Sequence, residues 1–114
     1  IDLALPRGNQ KLIQMVVNTA KVPVIETGSG ICHLFVNKDA DLQMALNIAE
    51  NGKIQRPGVC NALECILVHK EIAKEFLPEL AKRFNNRVEL RADSSSYEIL
   101  KNSNIGFLNN PTYY

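Results

Sequence analysis

A cysteine in a loop of small and charged residues is the feature of this sequence best suited to chemistry. Cys60 follows Pro57 and Gly58, and Lys53 and Arg56 precede it. The thiolate is the reactive form of cysteine, and a neighbouring cation favours it. A loop lets a substrate approach, and the positive end of a helix-like turn after Cys60 would favour the thiolate further. From the residues alone, a small buried cysteine remains the alternative.

The polar neighbours of Cys60 each have a functional and a structural interpretation. Arg56 and Lys53 could hold a phosphate or a carboxylate, or they could be surface charges. Asn61 could orient the cysteine loop or cap the following turn. Glu64 would lie one turn after Cys60 in a helix, where we expect a salt bridge to Arg56 or Lys53.

Cys32 and His33 are adjacent and could bind a metal or form a Cys–His dyad. Adjacent residues on a strand point to opposite faces, so both cannot easily serve one site. The chain also has no paired Cys or His spacing of the kind that holds zinc, and we expect no metal. Cys65 lies in an apolar run and should be in the core, whereas His69 should be exposed.

The composition narrows the class of protein. The chain has 114 residues, of which 46% are hydrophobic and 22% are charged, with a net charge of +1. These values fit one folded globular domain. They give no electrostatic reason to expect nucleic acid or an anionic membrane as a partner. No apolar run reaches the roughly 20 residues of a membrane span. The three cysteines are an odd number without a disulfide pattern, which favours a reducing, cytoplasmic setting.

Strand-like and helix-like segments alternate along the chain, which favours a parallel sheet with flanking helices. The predicted strands are Ile1–Pro6, Val22–Ile25, Ile31–Val36, Cys65–His69 and Val88–Arg91. The predicted helices are Asn9–Ala20, a helix that begins at Asp39 or Asp41 and ends near Asn51 and Gly52, Lys70–Phe84 with a kink at Pro78, and Ser94–Lys101. Asn9 could cap the first of these helices, and Asp39 or Asp41 could cap the second. Arg7 and Gly8 lie at the carboxyl end of the first predicted strand, where open parallel sheets bind ligands, although an ordinary strand-end turn is an equal alternative.

The segment from Lys53 to Glu64 resembles the nucleophile motif of the γ-glutamyl phosphate reductases, a family of the aldehyde dehydrogenase superfamily. The resemblance rests on Lys53, Gln55, Arg56, Pro57, Cys60, Asn61 and Glu64. Further matches lie in register at Ile1–Gly8, Pro23–Ile25, Gly30–His33 and Phe76–Pro78, so that the resemblance covers about residues 1–92.

The resemblance implies a fold and a reaction. The fold would be α/β, a three-layer parallel sheet with flanking helices in the manner of aldehyde dehydrogenases. The reaction would be the NADPH-dependent reduction of L-glutamyl 5-phosphate to glutamate 5-semialdehyde and phosphate through a thioester on Cys60. Arg56, Lys53, Asn61 and His33 would bind the substrate, and Arg7 and Gly8 would approach the cofactor. The complete enzyme would be a cytoplasmic homo-oligomer.

The chain also departs from the family pattern. Members are several times longer, Ile54 replaces a small hydroxyl residue, and the tail from Asn104 to Tyr114 lacks the expected acidic stretch. We therefore expect a single fragment in which residues 1–20 end a cofactor-side region, residues 21–103 carry the catalytic cysteine, and residues 104–114 form a loop-like tail. This chain should be inactive by itself. A different aldehyde dehydrogenase-type oxidoreductase and a non-catalytic α/β domain remain alternatives.

Overall fold

A computed structural model describes residues 1–26, 28 and 30–102. The chain divides into two compact units, Ile1–Gly30 and Ile31–Tyr114. The predicted loop-like tail, residues 104–114, lies outside the described residues, as do Thr27, Ser29 and Ser103.

In the described residues of the amino-terminal unit there is one helix, α1, which spans Gln10–Thr19. Asn9 caps α1 as predicted, because its side-chain oxygen accepts a hydrogen bond of 2.9 Å from the backbone N–H of Leu12. Ile13 is the one buried residue of α1, and the rest of the helix is exposed or half-buried.

The two strands predicted in this unit are wrong in extent. The segments Ile1–Pro6 and Val22–Ile25 meet in a single parallel bridge between Ala4 and Val24. Leu5 is 68% exposed, so the first segment is not the buried strand that its apolar sequence predicts. An apolar run is buried only where other chain covers both of its faces, and these residues alone do not provide that cover.

The second unit begins with a β–α–β crossover. Strand β1 spans Cys32–Val36, helix α2 spans Leu42–Ile54, and strand β2 spans Leu63–Val68. The two strands pair in parallel, which requires a crossover connection such as α2. Asp41 caps α2 by accepting a 2.8 Å hydrogen bond from the N–H of Met44.

Two further helices follow β2 in the described part of this unit. Helix α3 spans Ala73–Phe84 and continues through Pro78, and helix α4 spans Ser94–Leu100. The predicted start of α3 at Lys70 is too early, because Lys70 to Ile72 form a turn. Asn85 ends α3 in the left-handed conformation, with φ 42°.

The core of the second unit lies where β1 and β2 meet the three helices. Its most buried large side chains are Phe76, Phe84 and Val36, each no more than 2% exposed. Other buried members of this cluster are Ala45, Leu46, Ala49, Leu63, Leu77, Leu80, Ala81 and Leu100. The predicted parallel strands with flanking helices are thus confirmed.

Several local predictions are corrected. Val88–Arg91 is not a strand, since no strand of the described residues pairs with it, although Val88 and Leu90 pack against the core. Strand β2 begins at Leu63, earlier than predicted. Cys65 and His69 are both half-buried, neither fully in the core nor fully exposed.

Within residues 1–26, 28 and 30–102, no helix has both the length and the apolar character needed to cross a membrane.

Candidate active site

Cys60 lies in an exposed turn between the end of α2 and the start of β2. The predicted helix-like turn after Cys60 is wrong, because the chain enters β2 three residues later. The reason is local: Ala62 and Leu63 are both buried, and extended backbone carries them directly into the sheet. No helix N-terminus therefore follows Cys60 to favour its thiolate.

The turn around Cys60 has few backbone hydrogen bonds of its own. The N–H of Val59 donates to the carbonyl of Arg56 at 3.4 Å, and the N–H of Ala62 donates to the carbonyl of Val59 at 3.1 Å. The backbone N–H of Cys60 has no hydrogen-bond acceptor among the described residues. That N–H can therefore donate to an oxygen that becomes negatively charged beside the cysteine sulfur.

The thiol of Cys32 is the side chain that β1 brings to this turn. Its Sγ donates to the backbone carbonyl oxygen of Cys60 at 3.5 Å, and the Cys32 residue is half-buried. The sequence did not identify this contact. Strand alternation predicted that Cys32 and His33 would not both serve one site, but only the register of β1 on β2 determines which of them lies near Cys60.

His33 lies on the opposite face of β1 and is exposed. Its ring Nδ1 is 2.9 Å from the carbonyl oxygen of Ile31, so the tautomer that bonds there carries its proton on Nδ1. The contacts of the described residues therefore bring Cys32, not His33, to the backbone of Cys60.

The two candidate cations differ in setting. Lys53 is in the last turn of α2, where a cation also complements the carbonyl end of the helix dipole. Arg56 is exposed in the turn itself and is therefore the better placed of the two to meet a ligand at Cys60. Asn61, directly after Cys60, is also exposed.

Glu64 does not form the salt bridge that we expected. It lies on β2, with an exposed side chain, and no ion pair within the described part of the chain joins it to Arg56 or Lys53. The helical spacing on which the expectation rested is absent, because Glu64 follows Cys60 along extended backbone.

Arg7 and Gly8 belong to the amino-terminal unit. Arg7 is exposed, and its guanidinium suits a phosphate group such as those of a nicotinamide dinucleotide. Gly8 has φ +156°, and a Cβ there would lie 2.6 Å from Leu12 Cδ2. Local backbone conformation and packing thus account for Gly8 without a ligand.

A groove of about 770 Å³ lies elsewhere in the second unit, between β2 and the segment that follows α3. Lys53 and Pro57 contribute to its wall, but Cys60 does not. The groove is therefore not the pocket of the candidate nucleophile. Within the described residues, no group of three or more Cys, His, Asp or Glu side chains is arranged to hold a metal ion.

The comparisons with known proteins agree with the motif. Residues 8–97 match the model of the aldehyde dehydrogenase family. The chain is 59% identical over 100 residues to a protein named gamma-glutamyl phosphate reductase from Streptococcus suis (strain 05ZYH33), covering 88% of this chain and 24% of that protein. It is 54% identical over 101 residues to one of the same name from Ligilactobacillus salivarius (strain UCC118), with the same coverage.

A solved structure shares the fold. The crystal structure of gamma-glutamyl phosphate reductase from Thermotoga maritima superimposes with a TM-score of 0.82 at 45% identity, over 93% of this chain and 26% of that one. The chain thus spans about a quarter of the length of the relatives that it matches. The predicted resemblance and the aldehyde dehydrogenase-like α/β fold are confirmed, and the chain belongs to the aldehyde dehydrogenase family.

Proposed function

We propose that this chain is the catalytic-cysteine segment of an NADPH-dependent reductase that converts L-glutamyl 5-phosphate into glutamate 5-semialdehyde and phosphate. The observation that carries the proposal is the setting of Cys60. It combines the motif with an exposed turn whose backbone N–H has no acceptor among the described residues. The names of the relatives support the substrate, and the family supports a nicotinamide cofactor.

The chemistry assigns Cys60 the role of nucleophile. Its thiolate attacks the acyl phosphate carbonyl, the bond to the phosphate oxygen breaks, and phosphate leaves with the electron pair. The product is a thioester on Cys60. The N–H of Cys60 donates to the oxyanion of the tetrahedral intermediate. After reduction, Cys60 leaves as a thiolate when the aldehyde is released.

NADPH, when bound, supplies the hydride for that reduction. Arg7 would contribute an exposed guanidinium to an anionic part of the cofactor. Gly8, where an added Cβ would meet the Leu12 side chain, would contribute only its backbone.

The substrate carries two anionic groups that need partners, an α-carboxylate and a phosphate. Arg56 is the exposed cation nearest to Cys60 in the sequence of the turn. Its guanidinium can bind a phosphate or a carboxylate through two parallel N–H donors. Asn61 offers an amide donor beside it. Lys53, in the last turn of α2, and His33, exposed on β1, complete the proposed set of substrate-binding residues.

Two other functions compete with this one. A hydrolytic or coenzyme A-acylating aldehyde dehydrogenase would share the cysteine but would transfer the acyl group to water or a thiol. Comparing phosphate, coenzyme A and water as acceptors in the complete enzyme separates these reactions, and preference for phosphate supports the proposal. If the chain is a non-catalytic α/β domain, no acyl transfer to any of these three acceptors should depend on Cys60.

Replacing Cys60 tests the nucleophile directly. In the complete enzyme, Cys60→Ser should lower turnover by at least about a thousandfold, because the hydroxyl is a far weaker nucleophile than the thiolate. Cys65→Ser is the matched control, since Cys65 is a half-buried thiol on β2 that the mechanism does not use. Equal activity of the Cys60→Ser variant and the parent enzyme would refute the assignment.

We also propose a cytoplasmic homo-oligomer for the complete enzyme, as the resemblance implies. The three cysteines are free thiols in this structure, which is compatible with a reducing compartment.

A further inference from the structure

The turn that carries Cys60 is weakly tied to the rest of its unit. Between the end of α2 and the start of β2 it makes two backbone hydrogen bonds within itself, at 3.4 Å and 3.1 Å. In the part of the chain that the structure describes, one hydrogen bond connects this turn to another element. It is the 3.5 Å contact from Cys32 Sγ to the carbonyl oxygen of Cys60.

The strand register explains how Cys32 reaches the turn. Cys32 pairs with Leu63, whereas His33 pairs with Cys65, so β2 has one extra residue at this step. A bulge of this kind changes the direction of the side chains beside it. Here the irregularity lies at the amino end of both strands, where β2 leaves the cysteine turn.

The hydrogen bond acts on the peptide group that follows the nucleophile. The carbonyl of Cys60 shares its rigid plane with the N–H of Asn61. A donor held at that oxygen restricts rotation about the Cα–C bond of Cys60. That rotation sets the orientation of the peptide plane relative to the Cys60 side chain and its N–H.

We infer that Cys32 is a positioning residue for Cys60: its thiol fixes the Cys60 peptide, so that the sulfur and the N–H of Cys60 address the same substrate carbonyl. The inference rests on the proposed function of Cys60. Cys32 touches no reacting atom itself, and its role is to keep the turn in a reactive geometry.

Three variants of the complete enzyme separate this role from general packing. Cys32→Ala removes the donor, Cys32→Ser keeps a hydroxyl donor of similar size, and Cys65→Ala removes another half-buried thiol from the neighbouring strand. Loss of one neutral hydrogen bond changes an equilibrium constant or a rate by a factor of about three to ten. We expect that loss in the rate of acylation of Cys60 for Cys32→Ala, with KM little changed.

The measurement is the rate at which glutamyl phosphate acylates Cys60 without cofactor, followed by mass spectrometry of the Cys60 peptide. The inference predicts slow acylation in Cys32→Ala, recovery of most of the rate in Cys32→Ser, and the parent rate in Cys65→Ala. The thermal unfolding midpoints of the same variants are measured in parallel. They show whether the slower acylation of Cys32→Ala exceeds what a loss of stability would cause.

Parent-like acylation in Cys32→Ala would overturn the inference, as would equal losses in Cys32→Ala and Cys65→Ala. If Cys32→Ala does not fold, Cys32→Ser decides alone, and acylation no faster than one-tenth of the parent rate would also overturn it. Failure of the proposed function gives a different result, because the parent enzyme would then form no acyl group on Cys60.

Discussion

The chemistry open to Cys60 depends on the few groups around its turn. Its own N–H is available to an oxyanion, and the thiol of Cys32 holds its carbonyl oxygen. The turn therefore provides a nucleophile and a donor, but it contains a single cation, Arg56. Binding of a highly anionic substrate should depend strongly on that one side chain.

Replacing Arg56 should weaken substrate binding more than it slows the chemical step. In the complete enzyme, we expect Arg56→Ala to raise KM for glutamyl phosphate by about tenfold or more, because a charge-assisted double hydrogen bond is lost. Arg56→Lys should recover only part of the affinity, since an ammonium group cannot form the paired contact. Steady-state kinetics measures both effects.

Lys70→Ala is the matched control, because Lys70 is also an exposed cation in a turn, at the opposite end of β2. It should leave KM unchanged. Equal KM values for Arg56→Ala and Lys70→Ala would remove Arg56 from the substrate site.

Local sequence signals predicted some of these residues well and others not at all. The caps Asn9 and Asp41 follow from short polar side chains placed before apolar periodic segments. The loop position of Cys60 follows from Pro57 and Gly58. The contact of Cys32 does not follow from any local signal, because it depends on a one-residue irregularity between two strands.

At the scale of elements, a cluster of charges ties α2 to α3. Glu50 of α2 accepts hydrogen bonds from Arg83 at 2.9 Å and from Arg87 at 2.7 Å. Arg83 also donates to Asn47 at 2.9 Å. The hydrogen bond from Arg83, followed by that from Arg87, holds the pKa of the Glu50 carboxyl below its usual 4.5.

Removing this carboxylate should lower stability in a pH-dependent way. Because folding lowers the pKa of Glu50, its contribution is fully present above about pH 4.5 and is lost as the pH falls through the lower folded pKa. Glu50→Gln should therefore be less stable than the parent protein at pH 7, and the two should converge in acid. Urea unfolding at several pH values measures the difference.

Glu79→Gln is the control for this experiment. Glu79 pairs with Lys82 one turn along the same helix, and both side chains are more than half exposed. Water screens such a pair, so its loss should change stability little at any pH. A Glu50→Gln difference as small as that of Glu79→Gln, or one that persists undiminished in acid, would contradict the assigned role.

Sequence periodicity identified the helices of the second unit but not all of their ends or every strand. Apolar spacing placed α2 and α3, whereas Gly52 suggested an end to α2 that the structure places at Ile54. Val88–Arg91 has a strand-like composition, and its Val88 and Leu90 pack on the core, but the sheet of the described residues contains only β1 and β2. A strand needs a hydrogen-bonded neighbour, and sequence composition does not reveal whether that neighbour is present.

At the scale of the whole molecule, much apolar surface remains uncovered. Phe35 and Leu67, on neighbouring strands, are 60% and 49% exposed, and Ile31 is 58% exposed. The chain spans about a quarter of the length of its relatives. In the complete enzyme we expect other segments to cover these side chains and to supply the remaining cofactor contacts.

This chain by itself should therefore not complete the reaction. We expect no reduction of NADP when the chain of 114 residues is mixed with glutamate semialdehyde and phosphate, whereas the complete enzyme should turn over under the same conditions. Absorbance at the wavelength of the reduced cofactor measures both. Turnover by the short chain would show that it contains a full cofactor site.

The central claim is that Cys60 carries the acyl group during catalysis, and the most direct measurement is to trap that intermediate. The complete enzyme is incubated with glutamyl phosphate in the absence of cofactor, quenched in acid and digested. The masses of the peptides that contain Cys32, Cys60 and Cys65 are then measured by mass spectrometry. The account predicts a glutamyl adduct on the Cys60 peptide, and none on those of Cys32 and Cys65. An adduct on another cysteine, or an unmodified Cys60 in an enzyme that turns over normally, would contradict it.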